Sequence, residues 1–283
     1  GGRLAWGGTL AGVQTSSDSH IAGYSSLSNN PSDGKTTLRL GAVALGAGTY
    51  HWDLNGASAG AGGASPSGVW ARTNAERFWN EAPDGQGQSV AWIDGSTAMF
   101  SAGSDATGNY TVTLGDNVTV GGVTYSGAAV GSQLTIEAGA GHRISLLAGN
   151  NVFDVQSKGG PTSTLAVRAE IAGPGALVKE GQGTLSLEAA NSYSGGTTIA
   201  AGAVNAAVSG ALGTGAVSVG ADAALLFSNK ADAGKLSISA AAGGTGVNGG
   251  FIQFADSSSA GNATLTTQKQ AAIDFRDNAT AGN

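Results

Sequence analysis

Between Gly173 and Val204 the sequence reads GPGALVKEGQGTLSLEAANSYSGGTTIAAGAV. Three short runs lie in it: Ala176–Lys179, Thr184–Glu188 and Thr197–Ile199. Each alternates apolar and polar residues, and glycine-rich corners separate them. Side chains on a strand switch faces at every residue, so Leu177, Leu185, Leu187 and Ile199 point to one side. No run is long enough to bury a face alone. Stacked on copies of itself it can, which makes the stretch one turn of a solenoid.

A second feature sets the length of a turn. Phe254-Ala-Asp-Ser-Ser-Ser-Ala-Gly-Asn262 is echoed 21 positions later by Phe275-Arg-Asp-Asn-Ala-Thr-Ala-Gly-Asn283. An antiparallel sandwich also uses short strands, but it does not repeat whole corners. A parallel stack does. Residues one turn apart then lie about 4.8 Å apart along the axis. Phe254 is expected on Phe275, and Asn262 beneath Asn283, as in other ladders of stacked rings and amides. The fold expected is all-β: a right-handed parallel β-helix with three sides. At about 22 residues per turn the chain makes about 13 turns, on the order of 60 Å of rod.

The stretch also resembles a known family. Gly173, Gly175, Leu177, Lys179, Gly181, Gly183, Thr184, Leu185, Leu187, Asn191, Tyr193, Gly195, Gly196, Thr197, Thr198, Ile199 and Gly202 fit the autotransporter-associated β-strand repeat. That repeat occurs in passenger regions of bacterial autotransporters and related surface proteins. The resemblance covers about 30 residues and implies an architecture and an extracellular or cell-surface address, not a reaction.

Composition supports many short strands with tight turns. Glycine is abundant at 49 residues, proline scarce at 5, and charged residues make up only 11%. No collagen period runs through the glycines, and charge is too sparse for a charge-rich disordered chain. The net charge of −6 and the lack of any Lys/Arg run exclude a nucleic-acid partner. No apolar run reaches the roughly 18 residues of a membrane helix, so no membrane insertion is expected. Cysteine is absent, which fits a secreted chain that crosses an envelope unfolded. Gly1 is not an initiator and the second 21-residue copy stops at Asn283, so the expectation is a piece of a longer chain.

Three regions are expected. Residues 1–68 hold irregular turns, a strand around Trp6–Val13, one turn-like segment from Thr36 to Asn55, and a glycine-rich loop, Gly56–Gly68, that bulges or marks a boundary. SSLSNN and PSDGK read as turn material. Residues 69–100 form an aromatic turn or cap, with one helical turn over Thr73–Trp79 capped by Asn74. Residues 101–283 form the regular helix, truncated at its C-terminal end, with strands such as Tyr110–Leu114, Leu134–Ile136, Leu165–Val167 and Ala224–Phe227.

Chemistry-bearing constellations are few. His20, His51 and His142 lack metal-ligand spacing, and no cofactor is implied. No G-x-S-x-G element occurs, so a hydrolase triad has no support. Asp84 and Asp94 each precede a glycine and read as turn residues, with Glu81 nearby, rather than as a glycosidase pair. Trp70, Trp79 and Trp92 carry the one binding flavour: they either plug the end of the stack or stack on a sugar or partner. The functional expectation is a non-catalytic structural or adhesive passenger or stalk region. Its partners would be a glycan or cell-surface receptor, or a second copy docked end to end on the last turn, where Ala271–Phe275 offers open edge groups. The alternatives are a secreted β-helical carbohydrate-active enzyme of polysaccharide-lyase type and a fibre protein.

Overall fold

The computed structural model describes residues 26–30, 35–39, 46–73, 75–127, 131–157 and 163–282. The chain forms two compact units, Gly1–Gly46 and Ala47–Asn283. In the first, Ser26–Asn30 pairs antiparallel with Lys35–Arg39, with Ser26 opposite Arg39 and Asn30 opposite Lys35. The SSLSNN segment is thus partly strand, although its Ser and Asn read as turn material. The Trp6–Val13 strand lies outside the described residues.

The second unit is a parallel coil, and every element in its described residues is a strand. One sheet has nine strands: Gly68–Trp70, Tyr110–Leu114, Gln133–Glu137, Thr164–Val167, Thr184–Leu187, Ala203–Ala206, Ala224–Phe227, Phe251–Phe254 and Ala272–Phe275. Its neighbours are parallel throughout. The other sheet has 13 strands and includes Ser96–Phe100, Val118–Ser126, Asn150–Gln156, Ala176–Glu180, Thr197–Ile199, Val217–Val219, Ser237–Ala240 and Thr264–Thr267. The chain alternates between the two sheets, so each circuit adds one rung to both.

The third side is thin. Ile144–Leu146 pairs with Val118–Val120 and with Ile171–Ala172. Farther along, the same side is reduced to single bridges from Asp232 to Ser259 and from Ser259 to Thr280. Nine rungs of the first sheet replace the 13 turns expected from length. Two causes account for the difference. Residues 1–46 form their own unit. The early circuits are also long: Gly68 pairs with Val112, 44 positions on, whereas Thr184 pairs with Ala203, only 19 on.

Register columns make the core. Leu134, Leu165, Leu185, Val204, Leu225 and Ile252 are successive Cα partners and all fully buried. Two positions along, Ile136, Val167, Leu187, Ala206, Phe227 and Phe254 form the parallel column, each 2% exposed or less. Between the two columns Asn205, Leu226 and Gln253 are half-buried, as period-2 alternation requires, whereas Thr135, Ala166 and Ser186 on the earlier rungs are buried as well.

The echo is real and longer than the sequence showed. Phe254 stacks on Phe275 with centroids 4.9 Å apart and planes 7° apart. Phe227 stacks on Phe254 at 4.6 Å and 5°. Phe227 lies 27 positions before Phe254, so it escapes a search at 21. The extra residues form a strap over 241–250, closed by a Gly244–Val247 bridge and by the Gly250 amide donating to the Ala241 carbonyl. The repeated Asp also gains a reason. Asn229, Asp256 and Asp277 occupy one corner with φ of 56°, 55° and 56°, the left-handed region that Asn and Asp tolerate. The Asn229 amide donates to Asp256 Oδ2 at 2.7 Å, and the Asp256 amide to Asp277 Oδ2 at 3.2 Å. Asn283, the expected partner of Asn262, lies outside the described residues.

The boundary expected after Gly68 falls instead at Gly46/Ala47. Thr49–Trp52 already pairs in parallel with Ser96–Phe100, which ties it to the coil. The Gly56–Gly68 loop is not a free bulge. The Asp105 carboxylate accepts from the Ala61 and Gly63 amides, both at 2.7 Å, and Ala61 is buried.

The fold makes a graded prediction. Phe254→Ala empties the middle of the ring ladder and should cost about 3 kcal/mol, the usual range for a buried Phe. Phe275, 38% exposed, should cost less than half as much. Urea titration of both variants measures this.

Candidate functional site

Two places concentrate the residues singled out by sequence: the aromatic segment and the signature repeat. The aromatic segment lies at one edge of the 13-stranded sheet. Thr49–Trp52 pairs antiparallel with Trp79–Asn80, which pairs antiparallel with Ser89–Val90. The 13-stranded sheet therefore leaves its parallel pattern at this edge. Trp52, Trp70, Trp79, Trp92 and Phe100 fill the bore beneath, each 3% exposed or less. Their centroids lie 4.8–5.8 Å apart, mostly edge to face, the arrangement that ring quadrupoles favour.

Trp70, Trp79 and Trp92 are therefore not available to stack on a ligand; their rings cover one another. Trp92 Nε1 donates to the Thr119 carbonyl at 3.3 Å and Trp52 Nε1 to the Pro66 carbonyl at 2.7 Å. Among the described residues, Trp70 and Trp79 Nε1 find no hydrogen-bond acceptor. Asn80, fully buried beside Trp79, organises the turn that follows. Its Nδ2 donates to Asp53 Oδ2 at 2.8 Å and to the Gly85 carbonyl at 2.9 Å, while its Oδ1 accepts from the Ala82 amide at 2.9 Å. Burial pushes the Asp53 carboxyl up from its ordinary range, against the lowering by hydrogen bonds from the Asn55 amide, the Asn80 side chain and the Gly56 amide. No helical element forms over the described part of 73–79; Asn74 lies outside the described residues. Asp84 accepts from the Gln86 amide, and Asp94 accepts from the Thr119 amide and pairs with Arg72 at 3.1 Å. Among the described residues no cluster of three His, Asp or Glu could hold a metal.

In the signature repeat the structure brings the expected residues together at corners. Leu177, Leu185, Leu187, Ile199 and Tyr193 are fully buried, and Thr198 faces out. Gly202, at φ 66°, comes so close to the preceding corner that a Cβ there would run into the Gly181 carbonyl. Gly173, Gly175 and Gly195 are likewise crowded by backbone, and Gly196, at φ 87°, takes the left-handed region. Gly183 would crowd Val155.

The polar signature residues span turns. Asn191 Oδ1 accepts from the Ile171 amide at 2.7 Å, and its Nδ2 donates to the Ala211 carbonyl at 2.5 Å. One side chain thus joins three circuits. Tyr193 OH and Thr197 Oγ1 lie 2.6 Å apart, both buried, and burial raises the phenol.

Lys179 is the surprise. It occupies the inward column between Phe153 and Ile199 and is fully buried. Its Nζ donates to the Glu180 and Gly181 carbonyls, both at 2.7 Å, and to the Ala201 carbonyl at 3.1 Å. The sequence did hold the signal. If Leu177 points inward, so does the residue two places on. Outside, Arg168 bridges Glu137 and Glu188, both at 2.8 Å, across three rungs, which no local spacing announces.

Residues 177–206 match the family model of the passenger-associated-transport-repeat. The adhesin BmaC autotransporter of Brucella suis biovar 1 is 32% identical to this chain over 189 residues. That covers 64% of this chain and 5% of the relative, so the chain spans about one-twentieth of the relative's length. Together these support an autotransporter passenger region. No solved structure matches the chain. The passenger repeat, read on its geometry, is a set of inter-turn staples.

Asn191→Ala removes both staples and leaves a buried amide and carbonyl unpaired. It should cost about 2–4 kcal/mol, from the penalty for orphaned buried polar groups. Asn205, half-exposed with its Nδ2 on Ser186 Oγ at 3.3 Å, should lose well under 1 kcal/mol on the same change. Parallel denaturant titrations compare the two.

Proposed function

We infer that this chain is an adhesive, non-catalytic stretch of an extracellular passenger, surface-exposed or secreted. The observation that carries this is the similarity over 189 residues to an autotransporter described as an adhesin. The architecture supports it. A parallel coil spends its inward residues on its own core and holds the outward ones in fixed rows about 4.8 Å apart. Nine rungs give a stiff stack on the order of 40 Å that can carry contacts away from a cell. The buried indoles shift the search for a contact surface from the aromatic segment to the outward faces and loops. Nothing in the comparisons supports a polysaccharide lyase or a fibre protein.

The test is a gain of function. Residues 1–283 are displayed on a non-adherent bacterium, and cell binding is counted against a display scaffold lacking them. Binding should rise several-fold and be inhibited by the soluble chain. Display at full density with no rise in binding removes the adhesive role and leaves a spacer.

A further inference from the structure

Along the inner column of the 13-stranded sheet, Val123, Phe153, Lys179, Ile199, Val219 and Ala240 follow one another in register, and one member of the six carries a charge. A coil of this kind is held rung to rung, so its stability is a sum of neighbour interfaces and can fail at one of them. We propose that the interface above Lys179, where the circuit 164–180 meets the circuit 184–199, is the joint at which the coil opens first, with the Lys179 ammonium as the group that sets how readily it opens.

The geometry gives the reason. Parting the coil between Val217–Val219 and Ser237–Ala240 exposes Val217, Val219, Ile238 and Ala240, all buried and apolar. Parting it above Lys179 exposes Leu177 and Ile199, but it also returns a buried ammonium to water. The desolvation penalty of such an ion is several kcal/mol, and opening recovers it. Asn191 on the Ile171 amide and Arg168 on Glu188 also cross this joint, but little holds the ion itself across it. Two of its three hydrogen bonds, the shorter pair at 2.7 Å, go to Glu180 and Gly181 in its own circuit. Only the 3.1 Å bond to Ala201 crosses to the next.

The charges around it do not cancel the cost. Asp154, on the strand below, and Glu180, on its own strand, both favour the ammonium, yet burial outweighs them and lowers Lys179 to about 8 from 10.5. Thr197–Ile199 above, the corner 200–202, and the facing strands Thr164–Val167 and Thr184–Leu187 carry no titratable side chain. The open joint therefore binds a proton more tightly than the closed one. Between about pH 8 and 10.5 a rise in pH favours the closed joint, and below about pH 8 the full penalty applies.

Native-state hydrogen exchange tests this, with intrinsic rates divided out to give opening constants. Four of the amides that cross the joint serve as probes: Thr184 to the Ser163 carbonyl, Glu188 to Val167, Ser192 to Ile171 and Ala200 to Lys179. The Ser228 and Ala241 amides cross a wholly apolar junction and serve as the reference. At pH 7.5 the first set should open together and more often than the reference. Raising the pH to 9.5 should make those openings about twenty-fold rarer, from the two proton affinities, and leave the reference unchanged. Lys179→Met should bring the joint to the reference level and abolish the pH effect. Lys179→Arg should keep the joint open-prone and abolish the pH effect, since guanidinium stays charged. The pH series on the unaltered chain stands even if a variant fails to fold. Joint amides that open no more often than the reference, or that ignore both pH and Lys179→Met, overturn the proposal.

Discussion

Everything in the coil depends on parallel pairing between residues one circuit apart. A strand of three or four residues such as Thr197–Ile199 has no stability of its own. It acquires hydrogen bonds, an inside and an outside only when Leu177 lies below Thr197 and Val217 above it. A slip of one residue would turn each inward side chain outward. Register is therefore the quantity that the sequence must protect, and the corners protect it. Glycines at 181 and 202 allow one corner to nest on the next. Asn229, Asp256 and Asp277 hold the left-handed turn and pass a hydrogen bond down the stack. Asn191 ties three circuits at once.

These devices differ in kind from the core they align. Leu, Val and Ile in the bore are interchangeable within limits of volume, because hydrophobic burial is not directional. Hydrogen bonds and close backbone approach are directional. A corner that needs an amide at one place and no Cβ at another admits one register. Lys179 is the exception that joins both classes, an ion in the bore that also marks a corner.

The same division explains what could be read beforehand. Strand positions in 101–283 were legible because period-2 alternation and glycine corners are local signals: Tyr110–Leu114, Thr197–Ile199 and Ala224–Phe227 stand as expected. The Phe254–Phe275 ladder was legible because its two copies share a circuit length. Phe227 was not, since the strap over 241–250 lengthens one circuit without disturbing the register. The hairpin of 26–30 with 35–39 was hidden because polar Ser and Asn make a strand look like a turn. The aromatic residues were located correctly, but their exposure could not be. An indole that plugs a bore and one that meets a partner are the same residue type, and only the antiparallel turn of Trp79–Asn80 onto Thr49–Trp52 decides between them.

That division also bears on how such a protein can change. Inward positions answer to the neighbouring rung, and corners answer to the neighbouring corner. Outward positions answer to neither. On the outer face, Glu137, Arg168 and Glu188 form one charged bridge, and Asn205 and Ser228 form a neutral hydrogen-bonded pair. Both patterns sit on the same inner column of Leu, Ile and Val. Since surface pairs of this sort contribute little to stability, the face can be rewritten with small energetic consequence. A coil with such an exterior is therefore suited to presenting many surfaces on one interior. Loops raise the freedom further, because a circuit can lengthen at its corner, as between Ala240 and Phe251, while its strands keep their partners.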